Sequence, residues 1–344
     1  MENKVQGSRD KVLFTPGPLT CSLTVKQAML RDLGSRDSEF IDIVREIREE
    51  LLSIADVSSA EFASILLQGS GTYCVEAAIH SVLPRTNATA TKCLGVTVDT
   101  LEFDEDTAVD VTHVERWLHR GESYALVCIV HCETSSGVLN PVAEVASAVR
   151  AQLPHAVVLV DAMSSFGAVP LELQHVDLLV SSANKCLQGV PGFAFLKGLE
   201  GDGQFRFTPP THALLAFRQA LREYIDEGGL AVRAARYWSN CDIIHRGMTE
   251  LGFQPLLGSK VPSAAVISSF RFLEHPNFRF EEFYKRLSDM GQVIYPGKVT
   301  QAPCFRIGHI GALWPEHMHQ LLRCVRLVLQ AMQIPLPKPL VKHV

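Results

Sequence analysis

Long apolar runs are missing from this chain of 344 residues, although 47% of its residues are hydrophobic. Its most apolar stretches, such as LVCIV at 126–130 and VVLVD at 157–161, are far shorter than the ~20 residues of a membrane-spanning helix. The first residues, MENKVQGSRDK, contain neither the apolar core of a secretion signal nor the Arg-rich pattern of a transit peptide. We therefore expect a cytoplasmic protein without a membrane partner, and a mitochondrial location stays open.

Basic blocks and paired cysteines are missing as well. The 32 lysines and arginines are outnumbered by 37 acidic residues, which gives a net charge of −5 and argues against a nucleic-acid partner. None of the nine cysteines forms the C-x-x-C pair of a zinc site or belongs to an evident disulfide framework. We expect reduced, buried thiols and no metal site.

Short apolar strands alternate with amphipathic helices in the first part of the chain. Strands are predicted at 62–67, 124–130, 156–160, 176–180 and 193–196. Apolar residues at helical spacing predict helices at 24–33, 40–55, 74–83 and 142–151. This alternation is typical of an α/β fold with a mostly parallel sheet and helices on both faces. In such sheets, ligands bind beyond the carboxyl ends of the strands.

The pattern changes after residue 203. A turn-rich segment at 207–212 precedes a helical stretch, 214–251, which Gly228 and Gly229 interrupt. Strands and helices then alternate from 262 to 330 and indicate a smaller α+β domain. We predict a boundary inside the long helix, with a large domain at 1–230 and a small C-terminal domain at 231–344.

Polar residues with different chemistry follow three of the predicted strands. The loop QGSGT at 68–72 opens a helix, whose backbone N–H groups favour an anion such as phosphate. Asp161 ends a buried strand and needs a positive partner, which a protonated pyridine nitrogen would provide. Lys185 follows an apolar strand and a run of small residues, so burial there would lower its pKa and make the amine nucleophilic.

Each of these features also has a purely structural explanation. The Gly/Ser loop could simply start a helix, Asp161 could cap the turn after its strand, and Lys185 could extend from the rim of the sheet to solvent. Arg306, flanked by apolar strand residues, either clamps a carboxylate through two parallel hydrogen bonds or forms an internal salt bridge. The combination of Asp161 with Lys185 favours a cofactor site over the structural explanations.

A series of short segments also occurs in the order known from one enzyme family. The segments are TPGPLT (15–20), LLQGSGT (66–72), HCETSSG (131–137), VDAMSSFG (160–167), SSANKCLQGVPGFAF (181–195), TPPTH (208–212), YPGK (295–298) and FRIGHIG (305–311). They resemble the class V, fold-type I aminotransferases, and most closely the 2-aminoethylphosphonate–pyruvate transaminases. The resemblance covers nearly the whole chain, and SSANKCLQGVPGFAF is its most specific segment.

The resemblance implies that pyridoxal 5′-phosphate (PLP) is the cofactor. Lys185 would bind it as a Schiff base and later shuttle a proton, and Asp161 would pair with its pyridine nitrogen. The other roles carried over from the family are Ser70, Gly71, Thr72 and Ser182 for the cofactor phosphate, Thr134 for the polar edge of the ring, Thr211 for the phosphate in the partner subunit of a homodimer with shared active sites, and Gly17 with Arg306 for the substrate.

The implied reaction moves the amino group of a small-molecule donor, 2-aminoethylphosphonate, to the 2-oxo acid pyruvate and gives phosphonoacetaldehyde and alanine. An alanine–glyoxylate-type transaminase would share Lys185 and Asp161, so it stays an alternative. Two family segments look shortened, near 92–94 and 197–203, which leaves open a catalytically impaired PLP-binding paralogue and leaves the group that stacks on the ring unidentified. A cysteine desulfurase that uses Cys186 or Cys304 is a further alternative on the same fold.

Overall fold

The computed structural model describes residues 10–83, 97–198, 205, 208–300 and 302–337. The helices of these residues are α1 (Leu23–Gln27), α2 (Ser38–Ile54), α3 (Gly71–Val82), α4 (Val111–Leu118), α5 (Val142–Gln152), α6 (Thr211–Glu227), α7 (Gly229–Glu250), α8 (Phe280–Asp289) and α9 (Pro315–Ala331). The strands are β1 (Val12–Leu13), β2 (Ala63–Gln68), β3 (Leu126–Val130), β4 (Val157–Asp161), β5 (Leu178–Ser182), β6 (Phe193–Gly198), β7 (Ile267–Arg271), β8 (Gln292–Val293), β9 (Tyr295–Pro296) and β10 (Cys304–Gly308). Within these ranges, every helix is too short or too polar to cross a bilayer.

The strands β2, β6, β5, β4 and β3 form, in this order, the central sheet of the described residues. β3 runs parallel to β4 and β4 parallel to β5, whereas β6 is antiparallel to both β5 and β2. All of these strands except β6 therefore point in one direction, and their carboxyl ends lie at one edge of the sheet. The predicted α/β class with a mostly parallel sheet is confirmed, and the reversed direction of β6 is a feature that the sequence pattern does not predict.

Alternate residues of β4 face opposite sides of the sheet and belong to different hydrophobic clusters. Val158 and Val160 pack in the larger cluster, together with residues of α2, α5 and α6. Leu159 packs in a second cluster with Cys74 and Ala78 of α3. Helices thus cover both faces of the sheet, which explains why its strands are mainly apolar.

The antiparallel sheet of β7, β10 and β9 forms a second unit with α7, α8 and α9. Its core is rich in phenylalanine, and the rings of Phe253 and Phe305 lie 5.3 Å apart in an edge-to-face contact. The start of the chain joins this unit, because β1 pairs with β8 and Phe14 is buried in the same cluster. The helical stretch is interrupted at Gly228, which has φ +110°, and the domain boundary at residue 230 stays a prediction.

Two helices differ from the elements predicted from the sequence. The helix predicted at 24–33 ends at Gln27, since Val25 is its only buried residue and Leu30 is 84% exposed. α4 was not expected, although Asp110 caps it by accepting a hydrogen bond from the N–H of Thr112. Its apolar residues recur at helical spacing, so the sequence contains an amphipathic signal for this helix.

The two segments predicted to be shortened fall almost entirely outside the part of the chain that the structure describes. Residues 92–94 belong to the gap at 84–96, and 199–203 belong to the gap that follows β6.

Candidate active site

Asp161 is the last residue of β4 and lies at the edge of the sheet where the parallel strands end. Its Oδ1 accepts a hydrogen bond of 2.9 Å from the N–H of Met163. Burial raises the pKa of Asp161, and the Met163 N–H and the charge of Lys185 only partly oppose this. The ion pairs of the described residues do not include Asp161. A positively charged group against this carboxylate would therefore be strongly stabilised.

Lys185 follows the neighbouring strand β5, so its side chain reaches the same edge as Asp161. Its Nζ donates a hydrogen bond of 2.9 Å to the carbonyl oxygen of Pro16. Burial lowers the pKa of Lys185. Cys186 and the charge of Asp161 partly oppose this, and the positive charges of Lys298 and Arg306 act in the same direction as burial. A lowered pKa leaves more of the amine neutral, which is the nucleophilic form that attacks an aldehyde.

Gly17 lies directly against the Lys185 side chain. Its φ is +127°, a conformation that L-residues with a side chain rarely adopt. A Cβ at this position would also come within 2.8 Å of Lys185 Cδ. Glycine is therefore what allows the segment around residue 17 to cover the lysine.

The N-terminus of α3 forms an anion cradle at the end of β2. Ser70 caps the helix, and its Oγ accepts a hydrogen bond of 3.2 Å from the N–H of Tyr73. The N–H groups of Gly71 and Thr72 have no hydrogen-bond partner among the described residues, as is usual for a first helical turn. Gly71 is packed tightly, since a Cβ there would lie 2.6 Å from Cε of Met163. The free N–H groups and the helix dipole together favour a phosphate.

Two further residues were predicted to bind the phosphate. Ser182 ends β5, is buried, and donates a hydrogen bond of 3.1 Å to Oδ1 of Asn184. Thr211 begins α6, which packs against Gly192, and the carbonyl of Gly192 accepts a hydrogen bond from Gly69 in the loop before α3. Among the described residues, Thr211 has no hydrogen bond to another candidate site residue, so its contact with a partner subunit stays a prediction.

Arg306 lies on β10 and is only 2% exposed. Its Nε donates to the carbonyl of Pro296 at 2.9 Å, and its Nη1 donates to the carbonyl of Thr134 at 2.8 Å. Burial lowers the pKa of Arg306. No carboxylate among the described residues pairs with the guanidinium, so the internal salt bridge considered from the sequence is not found there. The two carbonyls use two of its donors, and the guanidinium carbon lies 5.8 Å from the ring centre of Tyr295. Binding of a substrate carboxylate by the remaining donors stays a prediction.

Thr134 contacts this site through its backbone. Its carbonyl binds Arg306, whereas its side chain has no hydrogen bond among the described residues. Its role at the polar edge of the cofactor ring stays a prediction.

Several neighbours of the site were not singled out from the sequence. Met163 binds Asp161 through its backbone and covers Gly71 with its side chain, and Pro16 binds Lys185 through its carbonyl. His131, directly after β3, pairs through Nδ1 with Ser165 Oγ at 2.9 Å, and burial lowers its pKa to about 4. The contacts of Met163 with Asp161 and of Pro16 with Lys185 use backbone atoms, so the residue type does not indicate them. His131 could have been found from its position at a strand end.

Comparison with known proteins identifies the family. Residues 68–201 match the family described as aminotransferase class-V. The chain is 41% identical to a 2-aminoethylphosphonate–pyruvate transaminase of Phocaeicola vulgatus, in an alignment that covers 93% of this chain and 99% of the other. A protein of the same name from Salmonella paratyphi C is 40% identical, with 93% and 98% covered. The chain belongs to the class V aminotransferases. The resemblance predicted from the segments is thus confirmed, and the protein is a transaminase.

Solved structures of other aminotransferases share its fold. Ureidoglycine–glyoxylate aminotransferase from Bacillus subtilis superposes with a TM-score of 0.86 at 20% identity, over 96% of this chain and 95% of the other. Pyridoxamine–pyruvate aminotransferase from Mesorhizobium loti superposes with a TM-score of 0.82 at 20% identity, over 95% and 94%. At such identities the likeness concerns the fold alone, and it confirms fold-type I.

This class V aminotransferase is also shorter than its relatives. The alignment with the Phocaeicola vulgatus protein has 363 positions, yet 93% of this chain of 344 residues is only about 320 residues. About 40 alignment positions are therefore occupied only in the relative. The number agrees with shortened segments in this chain, although it does not locate them.

The family and the fold imply PLP, and the residues at the strand ends fit this cofactor. PLP carries a phosphate, a pyridine nitrogen that is protonated when a carboxylate faces it, and an aldehyde. The α3 cradle suits the phosphate, Asp161 suits the pyridine nitrogen and Lys185 suits the aldehyde. All three lie at the same edge of the sheet. No group of three or more metal-binding side chains occurs among the described residues.

The cysteines suggested for a desulfurase are buried. Cys186 is inaccessible, and burial raises its pKa to about 12. Cys304 is also buried, and burial raises its pKa. Both are therefore thiols near neutral pH, whereas sulfur transfer needs an accessible thiolate.

Proposed function

We propose that this protein transfers the amino group of 2-aminoethylphosphonate to pyruvate and releases phosphonoacetaldehyde and alanine. One observation carries the substrate assignment: relatives about 40% identical over almost their whole length bear the name of that activity. The arrangement of Asp161, Lys185 and the α3 cradle supports transamination, because it supplies a charge partner, a nucleophilic amine and an anion site at one sheet edge.

PLP would be held by the strand ends of the central sheet. The N–H groups of Gly71 and Thr72, with the hydroxyls of Ser70 and Ser182, would bind its phosphate. Asp161 would pair with the pyridine nitrogen. Burial raises the pKa of this carboxylate, and a positive charge beside it would lower the pKa again. When bound, the cofactor withdraws electrons and thereby acidifies the C–H bond next to the amino group of the donor.

Lys185 would carry a proton between the donor carbon next to the amino group and the aldehyde carbon of the cofactor. Its lowered pKa favours the neutral amine that can accept a proton, and the Pro16 carbonyl orients Nζ within the covered pocket. Gly17 would close this side of the site without a side chain that competes for the space of the substrate.

Arg306 would bind the carboxylate of pyruvate and of alanine. Lys298 is exposed and lies two residues after Pro296, whose carbonyl holds Arg306. The positive charges of Arg306 and Lys298 suit the carboxylate of pyruvate. They also suit 2-aminoethylphosphonate, whose phosphonate carries negative charge at the end remote from the amine.

The active form would be a homodimer in which Thr211 of one subunit reaches the phosphate held by the other. A cytoplasmic location and the absence of a nucleic-acid partner stay predictions from the sequence.

The test uses the full chain loaded with PLP, supplied with 2-aminoethylphosphonate and pyruvate, and follows phosphonoacetaldehyde and alanine. We expect both products in equal amounts, and none with Lys185→Ala. Alanine with glyoxylate is the matched competing pair. If only this pair reacts, the alternative transaminase replaces the proposal, and if neither pair reacts while PLP is bound, the protein is the impaired paralogue.

A further inference from the structure

Two loops behind the candidate active site adjoin Lys185 and the strand of Arg306. The lysine loop comprises residues 185–189 and begins with Lys185 itself. The arginine loop comprises residues 309–313 and follows β10, which contains Arg306. Both loops pack against one helix, α7, and the side chains of that helix bind backbone groups of both.

The hydroxyl of Tyr237 joins the two loops through a single atom. It accepts hydrogen bonds from Gln188 Nε2 at 2.7 Å and from the N–H of Gly311 at 3.2 Å, and it donates to the carbonyl of Cys186 at 3.3 Å. A phenol has one proton to donate and two lone pairs, so this hydroxyl uses its full hydrogen-bonding capacity. Tyr237 is only 1% exposed, so water does not replace these contacts.

Gln188 reinforces the bridge from the side of the lysine loop. Its φ is +61°, in the left-handed region that residues with a Cβ avoid. Its side-chain amide donates one proton to Tyr237 and the other to the carbonyl of Gly311 at 2.8 Å. The hydrogen bonds to Tyr237 and to the arginine loop offset the unfavourable backbone conformation of Gln188, which lies three residues after Lys185.

A buried ion cluster on α6 and α7 makes a second bridge of the same kind. Glu227 binds Nε of Arg233 at 2.6 Å and Nε of Arg236 at 2.7 Å. Arg233 Nη1 then donates to the carbonyl of Cys186 in the lysine loop at 2.7 Å. Arg236 Nη1 donates to two carbonyls of the arginine loop, Gly311 at 2.9 Å and Leu313 at 2.6 Å. One carboxylate thus orients one arginine toward each loop.

We propose that Tyr237, with Gln188, is a positioning residue that fixes the Lys185 amine relative to the Arg306 guanidinium. Neither side chain contacts the reacting atoms. They act by holding Cys186, the residue next to Lys185, at a set distance from the loop that follows Arg306. The inference rests on the proposed function, because it requires that Lys185 bonds to the cofactor and that Arg306 binds the acid substrate.

The test compares two buried tyrosines of the same region. Tyr237→Phe removes the bridging hydroxyl and keeps the ring. Tyr224→Phe is the matched control, since Tyr224 is 3% exposed and its hydroxyl has no hydrogen-bond partner among the described residues. Each variant is loaded with PLP, and the visible absorbance of the lysine–cofactor adduct is titrated with pH in the absence of substrates.

We expect Tyr237→Phe to move the midpoint of this titration by about half a pH unit or more, because the surroundings of the amine change. We also expect kcat to fall roughly tenfold or more, with a smaller change in KM, since small misplacements of reacting groups cost large factors in rate. Tyr224→Phe should match the wild type in both. Equal behaviour of the two variants, whether both unchanged or both impaired, would overturn the positioning role.

Gln188→Met supplies an independent variant that keeps the length of the side chain and removes its two N–H donors. It should shift the titration in the same direction as Tyr237→Phe, and the effect of the double variant should be smaller than the sum of the two single effects, because the two residues share one hydrogen bond. Fully additive effects would contradict the bridge. A wild-type protein that forms no visible adduct with PLP would overturn the proposed function itself, whereas a normal wild-type adduct with an unaffected Tyr237→Phe overturns the positioning role alone.

Discussion

Asp161 illustrates how a functional residue can oppose stability. Burial raises its pKa above that of the unfolded chain, so the charged form destabilises the cofactor-free fold once the pH exceeds the unfolded value. That cost grows as the pH rises above the unfolded pKa and is complete once the pH exceeds the raised pKa of the folded state. A positive group bound against Asp161 would remove the cost, which couples cofactor binding to stability.

Asp161→Asn should therefore have opposite effects on stability and turnover. We expect the free energy of unfolding of the PLP-free protein to rise by about 1 kcal/mol at pH 7, as measured by urea denaturation. We expect kcat to fall by about 100-fold or more, because an uncharged partner no longer keeps the pyridine nitrogen protonated. Asp226→Asn on the exposed face of α6 is the control and should change neither. Near-normal turnover of Asp161→Asn would contradict the role of this carboxylate.

At the level of single residues, the sequence predicts side chains better than backbone contacts. Asp161 and Lys185 stand out because a charged residue at the end of an apolar strand is unusual. The Pro16 carbonyl that binds Lys185 comes from 169 positions away in the chain, and its contact depends on how β1 joins the second unit. Neither the type of that residue nor its local pattern contains this information.

At the level of secondary structure, strands made of continuous apolar runs are the easiest to predict. β3, β4 and β5 lie within three residues of their predicted bounds, because a short apolar run between turn residues fits a strand better than an amphipathic helix or a loop. The direction of β6 could not be predicted, since a buried apolar strand has the same residue pattern whether it runs parallel or antiparallel to its neighbours. α4 has apolar residues at helical spacing and could have been predicted from the sequence.

The strand β6 carries a buried lysine that gives a prediction of its own. Lys197 is 3% exposed, donates to the carbonyl of Val176 at 2.8 Å and lies 3.6 Å from the ring centre of Phe62. Burial lowers its pKa to about 8, which is below the ~10.4 of a lysine in an unfolded chain. The folded state therefore binds fewer protons than the unfolded state between these values, so this residue destabilises the fold below pH 8 and less so as the pH rises to about 10.

Lys197→Met should abolish this pH dependence. In urea denaturation of the PLP-free proteins, the difference in free energy of unfolding between variant and wild type should shrink by the order of 2 kcal/mol from pH 7.5 to pH 10, at ~1.4 kcal/mol for each pH unit. Lys285→Met, on the exposed face of α8, is the control and should leave the difference constant. A constant difference for Lys197→Met would mean that this lysine is not buried as described.

At the level of the whole molecule, the proposed sharing of sites between subunits makes a prediction about mixed dimers. Lys185→Ala should be inactive, and Thr211→Val should bind PLP more weakly. If Thr211 serves the partner subunit's site, a dimer with one subunit of each variant contains one site with both residues intact. Mixing the two under conditions of subunit exchange should then restore activity at limiting PLP. No recovery in a confirmed mixed dimer would place Thr211 at the site of its own subunit.

The central claim is that the amine of Lys185 bonds to the aldehyde of PLP. Borohydride reduction of the loaded protein, followed by proteolysis and mass spectrometry of the peptides, tests it directly. We expect the phosphopyridoxyl label on Lys185 alone. Label on Lys197, whose pKa is also lowered, on another lysine, or on none would contradict the assignment.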